Sequence, residues 1–276
     1  MSPAFNLPAY LDRIRLPARP TLDHHGLAAV HRAHRLAIPF ENLDILLGRG
    51  IDVGGEAVFG KLVVANRGGY CFEQNRLFHD ALAALGFTVR PLLGRVWLDG
   101  SDVPPRTHTL NLVTIAGQEW IADAGFGGSY APPMPLADAA EAVSPDGAQH
   151  RLIRDDTHGW MLLRHGPAIN ADGRGAGEGF QRQYSFTTDP AWPADLAQAN
   201  HWTATAPGTR FVSHAIASVV LPHGFASLVD RRYNRRAGAE QASGTIDDPR
   251  VYRMRLSLMF GIDLTKDEIA ALGLFD

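Results

Sequence analysis

The chain has 276 residues with 26 basic against 29 acidic side chains, a formal charge of −3. It lacks the basic excess that binding a nucleic-acid backbone demands, although a few residues suffice to hold a small anion. Its composition, 45% hydrophobic and 20% charged, supports a sizeable buried core, and the length suits about two domains of ordinary size. A single cysteine, Cys71, excludes a disulfide framework, a zinc ribbon and a CxxC redox pair within one chain. No apolar run approaches the ~18 residues a bilayer requires, and prolines and charges interrupt the N-terminal segment. A cytoplasmic location with no membrane contact is expected, where a lone thiol stays reduced.

The first third reads as helical. Tyr10, Leu11 and Ile14 recur at helical spacing, and Leu22, Leu27, Val30 and Leu36 mark a second helix over 22–37, stopped by Pro39. Val58, Leu62 and Val63 suggest a third that ends near Gly68-Gly69. The fourth is clearest: Leu77, Phe78, Ala81, Leu82 and Leu85 form one apolar face, and Gly86 stands at the C-cap position. Beyond Gly86 the pattern turns to β, with runs at 89–98, 108–115 and 119–126, the last two joined by a turn at 116–118. Further strands are expected at 151–154, 160–164 and 181–186, and the turn-rich stretches 131–147 and 170–179 read as loops. Strands at such short spacing suggest a barrel or sandwich. In the last third, Asp189-Pro190 starts a short helix, 211–221 and 224–229 read as strands, and the capping box Thr265-x-x-Glu268 begins a closing helix carrying Ile269 and Leu272.

Cys71 lies in RGGYCFEQN, between a glycine pair and the fourth helix. A thiol at a helix N-terminus meets the positive end of the backbone dipole, which favours the nucleophilic thiolate. Position alone leaves the matter open, since a lone cysteine is more often a small buried hydrophobe. A nucleophilic cysteine needs a base, and the base an orienting group. His108 opens a β-run and by alternation shares an apolar face with Leu110 and Leu112; one strand later comes Asp123, in WIADAGFGG. If the two runs pair through residues 116–118, positions near 123–126 oppose positions near 108–111. A histidine and an aspartate on neighbouring strands are commonly a structural hydrogen bond; with an activated cysteine they make a coherent Cys-His-Asp triad. Other candidates carry less. His24, His25, His31 and His34 have no acidic or thiol partner nearby and read as a packed or solvated helix rather than a metal site. The GRGAGEG stretch at 173–179 lacks the Lys-Ser/Thr ending of a phosphate loop. The basic run RRYNRR at 231–236 reads as a solvated edge.

Four blocks also carry a resemblance: IPFENLDILLG at 38–48, RGGYCFEQN around Cys71, HTLNLV led by His108, and DAGFGG from Asp123. In this order and at these separations they resemble the arylamine N-acetyltransferase family. The resemblance implies an α+β fold with a cysteine-protease-like triad: an N-terminal helical bundle carrying Cys71 (1–88), a central β-barrel carrying His108 and Asp123 (89–192), and a C-terminal α/β lid (193–276). It implies transfer of acetyl from acetyl-coenzyme A, through an acetyl-cysteine and without a metal, to arylamines, arylhydrazines or N-arylhydroxylamines in a ping-pong cycle. Phe40, Phe72, Phe126 and Phe211 match positions lining the family's aromatic pocket. Gly125, Gly127, Gly128 and Ser129 match its glycine-rich loop near the coenzyme A pyrophosphate, and the coenzyme's phosphates offer a partner for the 231–236 patch. Two rival activities stay open: a macrolactam-forming amide synthase of the same family, and a thiol hydrolase. The chain departs from the family pattern at Thr109, where a Met often follows the histidine, at Asn111, where an apolar residue is usual, and at PGTRF before Phe211. Thr109 and Asn111 alternate away from the His108 face, so altered packing is expected there rather than a lost site.

Overall fold

The structure, a computed structural model, describes residues 5–97, 102–128, 130–166 and 178–275. Its first two helices begin where short polar side chains satisfy the free N–H groups of a first turn. Helix α1 (Leu7–Arg13) is capped by Asn6, whose Oδ1 accepts the Ala9 N–H at 3.1 Å. Helix α2 (His24–Ala37) is capped by Asp23, which accepts from Gly26 at 2.8 Å. A short α3 (Leu43–Leu46) follows β1 (Phe40–Glu41). The expected third helix is present as α4 (Gly55–Phe59), which widens into a π-turn over Gly60–Val64. Arg13 braces that turn, donating Nε to the Leu62 carbonyl at 2.8 Å and Nη1 to that of Ala37 at 2.7 Å. Helix α5 (Cys71–Leu85) ends at Gly86, whose φ of +105° only glycine adopts cheaply. Tyr10, Leu27, Val30, Leu77, Phe78 and Leu82 interlock between α1, α2 and α5.

The chain then forms β2 (Thr88–Val96), β3 (Arg106–Ile115), β4 (Gln118–Ala122), β5 (Met134–Pro135), β6 (Ala140–Val143), β7 (Gln149–Asp155), β8 (Gly159–His165) and β9 (Gln181–Phe186). They hydrogen-bond antiparallel in the order β5-β4-β3-β2-β9-β8-β7-β6, a nearly closed barrel around Leu92, Leu110, Leu152, Leu162 and Tyr184. Strands β5 and β6 lie in the stretch expected as a loop; their prolines and small residues hide the alternation. The 170–179 stretch falls mostly outside the described residues. The β3–β4 turn has two residues, not three. Ala116 and Gly117 both have positive φ, +49° and +81°, the geometry that suits tight hairpins, so Asn111 opposes Ala122 and the register differs by one from expectation.

The last third holds α6 (Pro193–Thr205), α7 (Arg210–Ser213), β10 (Ile216–Leu221), β11 (Gly224–Val229), β12 (Arg232–Ala237), β13 (Glu240–Thr245), α8 (Pro249–Phe260) and α9 (Lys266–Ala271). Phe211 belongs to a helical turn rather than to the start of a strand. The basic run at 231–236 proves to be mostly a strand, pairing β11 and β13. The closing helix starts as expected, with Thr265 and Glu268 in a reciprocal cap. One strand of this second sheet comes from far upstream: Phe40 pairs Ser218 and Glu41 pairs Ala217. Asn42 secures the junction, donating Nδ2 to the carbonyls of Phe211 and His214 and accepting the Ile216 N–H, each at 2.8 Å. Among the described residues no helix is long and apolar enough to cross a membrane.

Candidate active site

Cys71 is the first residue of α5, and the start of that helix is held from several sides. The Tyr70 N–H donates to Glu73 Oε2 at 3.0 Å, and Lys61 Nζ meets Glu73 Oε1 at 2.8 Å and Asp44 Oδ2 at 2.8 Å. Arg67 joins Glu41 at 2.7 Å. Gly68 is required by close packing, because a Cβ there would lie 2.4 Å from the Pro39 carbonyl oxygen. Burial pushes Glu73 up to about 7, against the pull of Lys61.

The Cys71 sulfur is buried, with Sγ 3.9 Å from the Thr107 carbonyl oxygen on β3. The next residue, His108, places Nε2 2.7 Å from Asp123 Oδ2. Asp123 Oδ1 accepts from Asn75 Nδ2 and from the Gly125 N–H, both at 2.9 Å. Burial alone would raise this carboxyl; the charge and hydrogen bond of His108, then Asn75 and Gly125, hold it well below the usual carboxylate range. Burial pushes the Cys71 thiol up, and the Asp123 charge adds to this, while the N–H groups of Phe72 and Cys71 itself pull it down. The net direction is upward. The helix end alone therefore does not hold a thiolate: a helix terminus is worth at most about 2 kcal/mol, whereas burying an uncompensated ion costs several.

The family is decided by the whole chain. The N-acetyltransferase family profile matches residues 23–269. The arylamine N-acetyltransferase / N-hydroxyarylamine O-acetyltransferase of Salmonella typhimurium is 35% identical over 278 residues, covering 96% of this chain and 94% of that protein. The chain belongs to the arylamine N-acetyltransferase family. The solved Salmonella typhimurium arylamine N-acetyltransferase superposes with a TM-score of 0.88 at 34% identity, over 96% of this chain and 97% of that one. Mycobacterium marinum arylamine N-acetyltransferase in complex with CoA gives 0.87 at 30% identity, over 98% and 99%.

Among these family positions, three of the four phenylalanines cluster at Cys71. Phe40 and Phe211 lie 5.9 Å apart by ring centroids, and Tyr70 bridges Phe211 at 5.4 Å and Phe72 at 5.6 Å. Phe126 lies with the barrel interior, edge-on to His108 at 5.1 Å, where Tyr184 also packs at 4.9 Å. The glycines following Asp123 serve packing. A Cβ on Gly125 would lie 2.6 Å from Asn75 Nδ2 and 2.8 Å from the Cys71 carbonyl oxygen; one on Gly127 would lie 2.8 Å from the Phe40 ring. Gly128 has a φ of +81°. Ser129 lies outside the described residues.

Two positioning groups escaped the sequence reading. Asn75, one helical turn beyond Cys71, donates to the Thr109 carbonyl at 2.7 Å as well as to Asp123, and accepts from the Ala124 N–H at 3.0 Å and from Asn111 at 3.3 Å. It ties α5, β3 and the Asp123 loop into one unit. The expected repacking around Thr109 and Asn111 takes this form: Asn111 bonds Asn75, and Thr109 Oγ1 bonds the Leu92 carbonyl at 2.9 Å. From α2, His31 Nε2 donates to the Asp123 carbonyl at 2.7 Å and Arg35 Nη1 to that of Ala124 at 2.9 Å. His34 is also committed internally, to Tyr10 at 3.0 Å and Gln74 at 2.7 Å. The available signal was spacing: Asn75 at i+4 from the nucleophile, and His31 and His34 on the Leu27–Val30 face.

Proposed function

We propose that this chain is an acetyl-coenzyme A-dependent arylamine N-acetyltransferase working through an acetyl-Cys71 intermediate. The observation that carries the reading is the His108–Asp123 pair at 2.7 Å, set beside the only thiol of the chain at the end of a helix. With Nε2 engaged by Asp123, the remaining ring nitrogen Nδ1 is the one available to take the thiol proton. That transfer conserves net charge: the buried thiolate forms only with its imidazolium, which the Asp123 carboxylate stabilises and orients. The sulfur attacks the acetyl thioester carbonyl, the S–C bond to coenzyme A breaks, and His108 returns its proton to the departing thiolate. An aromatic amine then attacks the acetyl-cysteine carbonyl, His108 takes the amine proton, and the Cys71 sulfur leaves. Backbone N–H groups at the start of α5, including that of Cys71, stabilise the tetrahedral oxyanion.

Aromatic amines, hydrazines and N-arylhydroxylamines are the acceptor class of this reading, because the rings of Phe40, Phe72 and Phe211 gather at Cys71 and Phe126 packs edge-on to His108, surroundings that suit a flat ring. The loop Gly125-Gly127-Gly128-Ser129 is proposed to receive the pyrophosphate. Support for it is Gly128, whose φ of +81° belongs to the turn geometries that gather N–H groups on an anion; Gly125 and Gly127 are committed to packing and to Asp123. A cytoplasmic location fits a working lone thiol. The test is intact mass after incubation with acetyl-coenzyme A. One acetyl group should appear on the wild-type protein, disappear on adding an arylamine, and never appear on Cys71→Ser. Acetylation of the serine variant to the same extent would place the acceptor elsewhere. Acetyl loss at a rate indifferent to arylamine would make the protein a hydrolase.

A further inference from the structure

A cavity of about 630 Å³ lies beside the nucleophile's helix, a size ordinary for small-molecule sites. Its apolar walls come from Phe72, Pro91, Trp192 and Leu196, and Arg76 and Arg90 stand among its lining groups. Cys71, His108 and Asp123 do not line it, so it is distinct from the triad, although Asn75 and Thr109 reach it. Trp192, just before α6, keeps 67% of its surface exposed, unusual for so large an apolar side chain.

The two arginines of the cavity are held differently. Asp80 also lines it, but its carboxylate is spent on Arg76 Nε at 2.8 Å and His79 Nδ1 at 3.1 Å. Arg90 gives one N–H to the Thr188 carbonyl at 2.8 Å, and the carboxylate facing it, Glu119 Oε1, stands 3.8 Å from Nη2, beyond hydrogen-bond distance. Each guanidinium thus has one carboxylate near it, but that of Arg90 stands off at 3.8 Å, and Arg90 retains N–H donors in the fork geometry that suits a carboxylate.

We propose that this cavity is a second ligand site, which takes a small aromatic carboxylate with its ring among Phe72, Trp192 and Leu196 and its anionic group at Arg90. The apolar walls supply burial for the ring, and the guanidinium discriminates an anion from a neutral isostere. The reading stands on the cavity alone and does not depend on acetyl transfer.

The test is calorimetric titration of the full-length protein with 2-naphthoate and with 2-naphthamide, after Cys71 has been blocked by N-phenylmaleimide. One equivalent of naphthoate is expected to bind the blocked protein. Arg90→Gln should weaken naphthoate about tenfold and leave naphthamide unchanged. Trp192→Ala should weaken both about tenfold. Both side chains are substantially exposed, so the fold survives, and far-UV circular dichroism checks it. Absence of binding to the blocked protein would assign the ligand to the triad cleft and overturn the proposal. Equal affinity for the carboxamide, or affinities that both variants leave untouched, would overturn it as well.

Discussion

Three histidines are buried in the neutral form, and this makes the protein sensitive to mild acid. Burial is the main cause in each: it lowers His31 to about 4, and His34 and His150 to about 3, against an ordinary value of 6.5. A histidine whose folded value is depressed contributes stability that is fully present above 6.5. That stability is lost as pH falls toward the folded value, because the unfolded chain takes up protons that the native state refuses. At pH 5 each ring lies about 1.5 units below the unfolded value, which amounts to about 2 kcal/mol apiece and about 6 kcal/mol for the three. Glu73 works in the opposite sense: raised to about 7, it favours the folded state as pH falls from 7 toward its unfolded value, and offsets about 2 kcal/mol. Asp123, held low, contributes stability above about pH 4 that is lost only in stronger acid, outside this window. The net expectation is a loss of about 4 kcal/mol between pH 7 and 5, a large part of the total for an ordinary domain. Urea unfolding at a series of pH values measures it. In His34→Gln about 2 kcal/mol of that dependence should vanish, whatever the variant's absolute stability. A wild-type stability that is flat from pH 7 to 5, or a His34→Gln profile parallel to wild type, would refute the assignment.

Other expectations concern the site. In His108→Gln the thiol loses its proton acceptor while burial still pushes it up, so iodoacetamide should modify the wild type at neutral pH and the variant only above the ordinary thiol range; identical alkylation profiles would remove His108 from the reaction. Asn75→Ala removes the partner of the Ala124 N–H, a donor to the Thr109 carbonyl and one of the two N–H donors to Asp123 Oδ1. It should cost about 3 kcal/mol of stability and about a hundredfold in kcat/KM, and a variant with full activity would contradict the positioning role. Gly127→Ala drives a methyl into the Phe40 ring, so the KM for an aromatic acceptor should rise several-fold while Cys71 acetylation in the first half-reaction is little changed. Loss of that first half-reaction instead would show that the loop supports the triad itself.

The sequence made some parts of this molecule legible and left others obscure for identifiable reasons. Helix α5 announces itself because its apolar face, its acidic N3 residue and its terminal glycine all agree, and the strand at 181–186 is visible for want of any competing signal. Helix α8 went unnoticed. Its inward side chains Tyr252, Leu256 and Phe260 follow a four-residue spacing, but Val251, Met254 and Leu258 lie exposed on the other side and blur the period. The Asp248-Pro249 pair was its one clear signal, for Asp248 accepts the Arg250 N–H at 2.7 Å. Strand β13 is exposed along its whole length and so carries no alternation to read. At the site, the cysteine, histidine and aspartate could be proposed from local context, whereas the work of Asn75 and His31 depends on partners 48 and 92 positions away. A helix end beside the thiol can be read from sequence, whereas the burial that pushes the thiol up exists only once the chain has folded.

The strand at Phe40–Glu41 has its partner in β10, and the Asn42–Ile216 bond that fastens the junction spans 174 positions. At translation rates of about 5–20 residues per second, the segment flanking the nucleophile waits on the order of ten seconds before its partner strand is even synthesised. Throughout that interval the nascent chain presents an unpaired β edge beside Phe40, Tyr70 and Phe72, a template for intermolecular pairing. A product terminated before residue 216 never escapes that condition. Yield in the cell is therefore tied to completing the chain, and premature stop codons well downstream of the triad should give insoluble protein rather than a shortened enzyme.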